Sequence, residues 1–430
     1  MKRLRIRILA VFFCSLLPLA AFGENVITRW NQQALDTVRS ERLGAAPASR
    51  VYAMVNAAMY DAVNGIDRAN RESTRDYAIV SPFGAPSRAN ESAAAAAAAH
   101  AVLTELYPSL SDIYDAQLYE DLELIKRSWF RLGLKKGLIW GSYVGARVVE
   151  ERSNDGSSEQ QIIFGGTGPG EYRADFTSAQ FRNMRPFLIA DKAPYVGGGP
   201  PELTSPEYLV AHHEVRLLGD ANNVNEEYEE IFSFWAGSGG SARPPGEWIK
   251  IAIVVAEQEH TTKDLSATAR LFALLGMALG DATIPAWESK SLYGFWRPTT
   301  AINAADTDGN SATIADGNWF PRNGGIGSSP EYTSGQSTYA GAGSTILADF
   351  YCDNNIQFTF EGDNAIAGSR TFESFSEAAA EAGQARIFAG IHFQFSNQDG
   401  QAAGRGVARE IISTSLKSYD GERVCPSQYR

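Results

Sequence analysis

The stretch that decides the fold is residues 31–64, NQQALDTVRSERLGAAPASRVYAMVNAAMYDAVN. Within it, Val51, Met54, Val55, Ala58 and Met59 follow one another at spacings of one, three and four residues. That spacing places the five side chains on one face of an α-helix and does not fit the alternation of a strand. The stretch therefore predicts helices that bury an apolar face.

Most of the remaining chain has the same helical character. The run ESAAAAAAAHAVLTEL is a good helix former throughout. Further helices are predicted at 111–130, 133–152, 205–218, 224–236, 247–260, 264–294, 336–351, 371–388 and 398–418. Strand-like alternation is limited to QFTFEG near residue 357, and Gly/Pro-rich loops separate the helices. The sequence thus predicts an all-α protein built from packed helical bundles.

The loop near residue 200 is the predicted division of the chain. Residues 24–200 would form an N-terminal helical half and residues 201–430 a C-terminal helical half. The alternative is that both halves share one core.

The first 23 residues form a separate segment. Four basic residues precede the apolar stretch ILAVFFCSLLPLAAF, and small residues occupy positions 21 and 23 before Glu24. This pattern predicts a signal peptide and a secreted or periplasmic protein. No later segment has 18 uninterrupted apolar residues, so no membrane span is predicted.

The charge of the mature chain is strongly negative. The signal segment contains four basic and no acidic residues, so its removal takes the formal net charge from −12 to −16. Such a surface repels nucleic acid, which is excluded as a partner. The mature chain keeps Cys352 and Cys425, which either pair in an oxidising compartment or remain separate thiols.

Two short segments offer cations and a helix start for binding an anion. In ESKSLYGFWRPTTAI, Lys290 and Arg297 are seven residues apart, which predicts one helix face with Arg297 near the helix end before Pro298. In PEYTSGQST, Ser334 and Gly335 lie where a helix begins, and the free N–H groups of a helix start hold oxyanions readily. The alternatives are two surface cations and a plain helix cap.

A third segment, GQARIFAGIHFQFSNQDG, contains Arg386 and His392 six residues apart, the wrong spacing for one continuous helix face. Gly390 is predicted to end the helix and turn the chain, so that both side chains can reach one pocket. The alternative for His392 is a core histidine.

Together these segments resemble a known family. Lys-x6-Arg-Pro, Ser-Gly before a helix and Arg-x5-His are the three-part signature of vanadium-dependent haloperoxidases and the related type 2 phosphatidic acid phosphatases. Residues 29–67 resemble the N-terminal helices of the bacterial haloperoxidase branch, and residues 269–302 and 390–408 resemble its catalytic half. The resemblance implies an almost all-helical fold of two four-helix bundles, with the cofactor in the C-terminal half.

The resemblance also implies a role for each motif residue. Vanadate would be the cofactor, and phosphate, also a tetrahedral oxyanion, can occupy the same site. Binding would use Lys290, Arg297 and Arg386 on the equatorial oxygens, Ser334 Oγ and the Gly335 N–H as further donors, and His392 as the axial vanadium ligand. Lys290 would also polarise hydrogen peroxide, which vanadate activates for attack by a halide without changing oxidation state. A small organic acceptor then takes the hypohalous product; many members are dimers, which leaves a homodimer open.

This sequence departs from the family pattern at two positions. The family's Pro-Ser-Gly-His reads Thr333-Ser334-Gly335-Gln336, and the usual Ser before the second Arg is Ala385. The missing histidine carries protons in the family, and the amide of Gln336 cannot titrate. Anion binding should therefore survive while proton transfer suffers. The leading function is a haloperoxidase, and the alternatives are an acid-phosphatase-like hydrolase and a diverged oxyanion-binding protein without halide oxidation.

Overall fold

The computed structural model describes residues 25–127, 132–364 and 368–417. The predicted signal peptide and Cys425 lie outside the described residues. Cys352 is disulfide-bonded.

Five helices make up the first part of the chain. They are α1 Val26–Ser40, α2 Ala45–Asn70, α3 Glu91–Leu106, α4 Ser111–Arg127 and α5 Leu134–Arg152. The helical stretch 31–64 is divided between α1 and α2, because the chain turns at 41–44 and Gly44 caps α2. α2, α3, α4 and α5 pack on one another as a bundle.

The rest of the described chain adds eight helices and one small sheet. The helices are α6 Pro206–Leu218, α7 Glu226–Phe234, α8 Arg243–Gln258, α9 Leu265–Tyr293, α10 Pro298–Asn303, α11 Gly335–Tyr351, α12 Phe375–Phe388 and α13 Gln394–Thr414. Strands β1 Phe358–Glu361 and β2 Ser369–Phe372 pair antiparallel, with Phe358 opposite Phe372. Five 3-10 turns, at Pro108–Leu110, Ala179–Asn183, Ala193–Tyr195, Thr261–Lys263 and Ala305–Thr307, lie in the connections. α9, α11, α12 and α13 form a second bundle.

The all-α prediction is confirmed, but three predicted helix starts are wrong by four residues. The helix expected at 371 begins at Phe375, because 369–372 pairs with β1 and Ser374 caps the helix. The helix expected at 247 begins at Arg243, since the two prolines that follow fit a first turn, where their missing N–H groups do no harm. The helix expected at 398 begins at Gln394. The strand near 357 is confirmed as β1.

One apolar core runs through both predicted halves of the chain. Trp30 and Tyr52 belong to it together with Trp248, Phe272 and Tyr339. α2 packs directly on α9, the longest helix. α9 is long and apolar enough to span a membrane, but 89% of its most apolar window is buried inside the protein. It is packed as a core helix, and the division near residue 200 remains a prediction.

Asp281, in the middle of α9, fixes the loop that leads to the wall of the site described below. Its buried carboxylate accepts the backbone N–H groups of Phe187 at 2.6 Å, Leu188 at 2.8 Å and Ile189 at 3.0 Å. Three consecutive N–H groups on one carboxylate hold this segment of loop against the helix. Asp61 on α2 binds the N–H groups of residues 78–80 in the same manner.

Replacing Asp281 with alanine is expected to lower the free energy of unfolding by about 3 kcal/mol or more, because three N–H groups lose their acceptor. Urea unfolding followed by circular dichroism measures the loss. Asp36→Ala is the matched control, since Asp36 lies on the exposed face of α1. An Asp281→Ala variant as stable as the wild type would mean that water replaces the carboxylate.

Candidate oxyanion-binding site

A cavity of about 590 Å³ lies among the ends of α9, α11 and α12. Six residues singled out in the sequence line it: Lys290, Arg297, Gly335, Gln336, Arg386 and His392. No Asp or Glu is among the described residues of its wall, although the chain as a whole has a net charge of −12. The cavity is therefore a local cationic pocket in an acidic protein.

Lys290 and Arg297 reach the cavity by a route that the sequence did not predict. The expected common helix face is wrong, because α9 ends at Tyr293 and Gly294 takes a left-handed conformation with φ of 50°. Arg297 then lies in extended backbone just before Pro298 starts α10. The turn, and not a shared helix, brings the two cations to one wall.

Lys290 is buried and hydrogen-bonded to main chain. Its Nζ donates to the carbonyl oxygens of Pro330 at 2.6 Å and Glu331 at 3.2 Å. Burial lowers the pKa of Lys290 well below its usual range, with Arg297 adding to the effect and Glu331 opposing it. An ammonium has three donors, so one remains for a ligand.

Arg297 is held from several sides. Its Nε donates to Ser329 O at 2.8 Å and its Nη2 to Ser329 Oγ at 3.2 Å. Its Nη1 lies 2.7 Å from Ile391 O and 3.0 Å from His392 Nε2. Four of the five guanidinium donors are thus used in the ligand-free protein, and the one on His392 Nε2 is free to turn to a ligand that takes that nitrogen.

Arg386 is the least satisfied cation of the three. It lies on α12, is 8% exposed, and donates from Nη1 to Trp235 O at 3.4 Å. Its buried Nε has no partner in the part of the chain that the structure describes. Burial and the neighbouring Arg297 lower the pKa of Arg386 to about 9. A buried guanidinium with unused donors fits an anionic ligand.

His392 presents an unprotonated nitrogen to the cavity. Its Nδ1 lies 2.8 Å from Glu331 Oε1, which also accepts the Phe393 N–H at 3.0 Å, so Nδ1 carries the proton. Nε2 then accepts from Arg297 Nη1. Burial, followed by the charges of Arg297, Lys290 and Arg386, lowers the pKa of His392 well below its usual range, so the imidazole is neutral.

The turn before His392 forms as predicted. α12 ends at Phe388, and Gly390 has φ of +73°. This reversal lets Arg386, on the helix, and His392, beyond it, line the same cavity.

The start of α11 is also confirmed. Ser334 is the N-cap, and its Oγ accepts the Ser337 N–H at 3.3 Å and the Ser337 hydroxyl at 2.8 Å. Gly335 lines the cavity, whereas Ser334 is not among its lining residues. The main chain of the helix start is thus better placed to bind a ligand than the Ser334 side chain.

Gln336 is 7% exposed and lines the cavity. Its Nε2 donates to Trp235 O at 3.0 Å. Its Oε1 is buried and has no partner among the described residues.

Glu331 is the main site residue that the sequence did not reveal. It is completely buried directly behind the cavity wall and orients His392. Burial raises the pKa of Glu331 to about 7, although the Phe393 N–H, Arg297 and Lys290 all act in the opposite direction. Its position three residues before Ser334 could have been noticed, but spacing alone gives a carboxylate there no distinct role. Trp287, which also lines the cavity, was likewise missed.

The residues present fit a tetrahedral oxyanion. Arg386 offers unused donors, Lys290 and Arg297 add positive charge, and the Glu331 carboxylate behind the wall is turned toward His392. A neutral imidazole nitrogen faces the same space and is of the kind that ligates metals. The fold and cavity therefore define an α-helical protein with a cationic pocket whose donors suit an oxyanion.

Comparison with known proteins agrees with this description. Residues 270–421 match the family described as the VCPO second helical-bundle domain. The fold is similar to that of the first bacterial vanadium-dependent iodoperoxidase, with a TM-score of 0.74, 22% identity, and coverage of 93% of this chain and 98% of that one. It is also similar to a holo-type bacterial vanadium-dependent chloroperoxidase, with a TM-score of 0.68, 15% identity, and coverage of 91% and 97%. Comparison with curated proteins gives no significant match.

The chain thus has the fold of these bacterial vanadium-dependent haloperoxidases, and its residues 270–421 match the model of the second helical-bundle domain.

Proposed function

We propose that the protein is a vanadium-dependent haloperoxidase that oxidises a halide with hydrogen peroxide to a hypohalous species, which halogenates an organic acceptor. The observation that carries the proposal is the convergence of three buried cations and an unprotonated His392 Nε2 on one cavity. Vanadate, when bound, would supply a Lewis acid that activates peroxide toward halide.

The chain's own residues would divide the work. Arg386, Arg297 and the Gly335 N–H would neutralise and orient the oxyanion. His392 would present Nε2 as the ligand once Arg297 Nη1 releases the single lone pair of that nitrogen and donates to the oxyanion instead, with Glu331 fixing the ring through Nδ1. Lys290 Nζ has one N–H donor left for the cavity, and this donor would polarise a peroxide oxygen.

The proposed location is outside the cytoplasm. The N-terminal segment has the pattern of a signal peptide. The disulfide at Cys352 supports an oxidising compartment, since such bonds persist mainly in secreted and periplasmic proteins.

Gln336 favours a second candidate, a diverged oxyanion-binding protein without halide oxidation. The described side chains of the cavity wall include no carboxylate, and the one imidazole among them, His392, is committed to Glu331 and Arg297. An acid-phosphatase-like hydrolase is disfavoured for the same reason, because expelling an alkoxide needs a proton donor.

Steady-state assays separate the three functions. The purified mature chain is incubated with vanadate, hydrogen peroxide and iodide, bromide or chloride, and in parallel with a phosphate monoester. Halide oxidation that requires vanadate and is inhibited by phosphate supports the proposal. Vanadate binding without halide oxidation supports the binding protein, and ester hydrolysis without vanadate supports the hydrolase.

Changing Gln336 to histidine is expected to raise turnover, most for chloride, which is the hardest halide to oxidise of those assayed. The gain should be at most the ~10²–10⁴-fold typical of a general acid–base group. Activity should acquire a titration near the ordinary histidine pKa of ~6.5 that the wild type lacks. Vanadate affinity should change little while the new imidazole is neutral, because one of its nitrogens can donate to Trp235 O and the other remains an acceptor. Bromide and chloride oxidation across pH, at saturating vanadate, measures the turnover and its titration. A vanadate titration of both proteins measures the affinity.

Two results would contradict that expectation. A wild type as fast as Gln336→His would show that glutamine is no handicap. A variant as inert as an inactive wild type would favour the binding protein.

A further inference from the structure

The amide of Gln336 can take only one orientation in this cavity. The group that faces its Nε2, at 3.0 Å, is the carbonyl oxygen of Trp235, which can only accept a hydrogen bond. The reversed amide would place two acceptors against each other. Oε1 must therefore point away from Trp235.

The Trp235 carbonyl is itself firmly held. It lies at the C-terminal end of α7, where the Trp235 N–H donates to Ile231 O at 3.3 Å and the indole Nε1 donates to Glu381 at 2.9 Å. Trp235 is 2% exposed. The orientation of the Gln336 amide is thus set by a buried and hydrogen-bonded part of the fold.

The same carbonyl also accepts from Arg386, so the ends of Gln336 and Arg386 are neighbours. Each is more than nine-tenths buried, and each keeps a buried polar atom with no partner among the described residues. Arg386 Nε is a donor, whereas Gln336 Oε1 is an acceptor. A ligand that satisfies both groups must accept a hydrogen bond from Arg386 Nε and donate one to Gln336 Oε1.

We propose that Gln336 makes the site selective for tetrahedral oxyanions that carry a hydroxyl group, such as hydrogen phosphate and hydrogen vanadate, over fully deprotonated ones such as sulfate. The hydroxyl would donate to Gln336 Oε1 while a deprotonated oxygen accepts from Arg386. Sulfate has the same shape but no proton to donate, so it would leave Oε1 buried and unpaired. This selectivity rests on the proposed function, since both use the same cavity.

Isothermal titration calorimetry of the mature chain with inorganic phosphate and with sulfate tests the proposal. The pH is set below the second ionisation of phosphate, where phosphate is a monoanion and sulfate a dianion. Charge alone would then favour sulfate in a cationic cavity. We expect the opposite order, with phosphate bound more tightly, and we expect Gln336→Met to shift the ratio of phosphate affinity to sulfate affinity toward sulfate by about 5- to 150-fold, the factor that corresponds to one unpaired buried acceptor.

Gln336→Met removes the acceptor at similar size and should abolish or reverse the preference. Gln180→Met is the matched control. Gln180 lines the same cavity, but its Oε1 already accepts the Gln161 N–H at 3.4 Å, so this variant should keep the preference. Gln336→Glu keeps an acceptor at this position and adds negative charge. This variant should therefore bind sulfate more weakly than the wild type does.

The outcomes separate this inference from the proposed function. Sulfate binding as tight as phosphate binding to the wild type overturns the selectivity and leaves the oxyanion site intact. A Gln336→Met variant that keeps the preference overturns the role of Gln336. Failure of both anions to bind the wild type overturns the oxyanion site and this inference together.

Discussion

Replacing Arg386 with alanine is expected to lower vanadate affinity by about 30-fold to several thousandfold, the range for removing one partner of a buried charge pair. The free protein should nevertheless be at least as stable as the wild type. Arg386 has a single hydrogen bond, at 3.4 Å, within the described ranges and a buried Nε without a partner. Its burial therefore disfavours the ligand-free state, and its removal relieves repulsion with Arg297.

Vanadate titration and thermal unfolding, each with and without phosphate, measure both effects. The wild type should gain stability with phosphate, and the variant should gain far less. Arg405→Ala is the matched control, because Arg405 is an arginine of α13 that contacts Gln401 and lies outside the cavity wall. Wild-type vanadate affinity in Arg386→Ala would remove the basis of the site.

Replacing His392 with alanine should eliminate halide oxidation while leaving part of the anion binding. The three cations and the helix start remain, so an oxyanion is still attracted. The only neutral imidazole among the described lining residues is lost, and with it the proposed axial ligand. Retained peroxidase turnover in His392→Ala would mean that the reaction does not depend on this residue and takes place at another site. His213→Ala, an exposed change on α6, should leave turnover unchanged.

The pH dependence of vanadate affinity follows from the protonation of the His392 imidazole. Ligation needs the neutral imidazole, so protonation of His392 should weaken binding as the pH falls. Because burial and the three cations depress the pKa of His392, the weakening should begin well below ~6.5, the ordinary histidine value. Affinity measured from neutral to acidic pH in the wild type and in His392→Ala isolates this effect.

The sequence predicted the members of the site better than it predicted their geometry. Lys290, Arg297, Arg386 and His392 were identified by motif and all line one cavity. The shared helix face for the first two was wrong, because a single left-handed residue, Gly294, ends α9 between them. Whether a glycine near a helix end stops the helix or continues it depends on tertiary packing, which a local pattern does not contain.

Long-range contacts account for what the sequence could not predict. The resemblance draws attention to Gln336, but the orientation of its amide depends on the carbonyl of Trp235, 101 positions earlier. Glu331 meets His392 across 61 positions. Backbone carbonyls and buried carboxylates of this kind leave no periodic signal. The helices themselves were predictable because their apolar faces and caps are local features.

A crystal structure of the mature chain grown with vanadate tests the central claim most directly. We predict one vanadium per chain in the cavity, bonded to His392 Nε2, with its oxygens on Lys290, Arg297, Arg386 and the Gly335 N–H. An empty cavity at saturating vanadate, or vanadium bound away from His392, would contradict it.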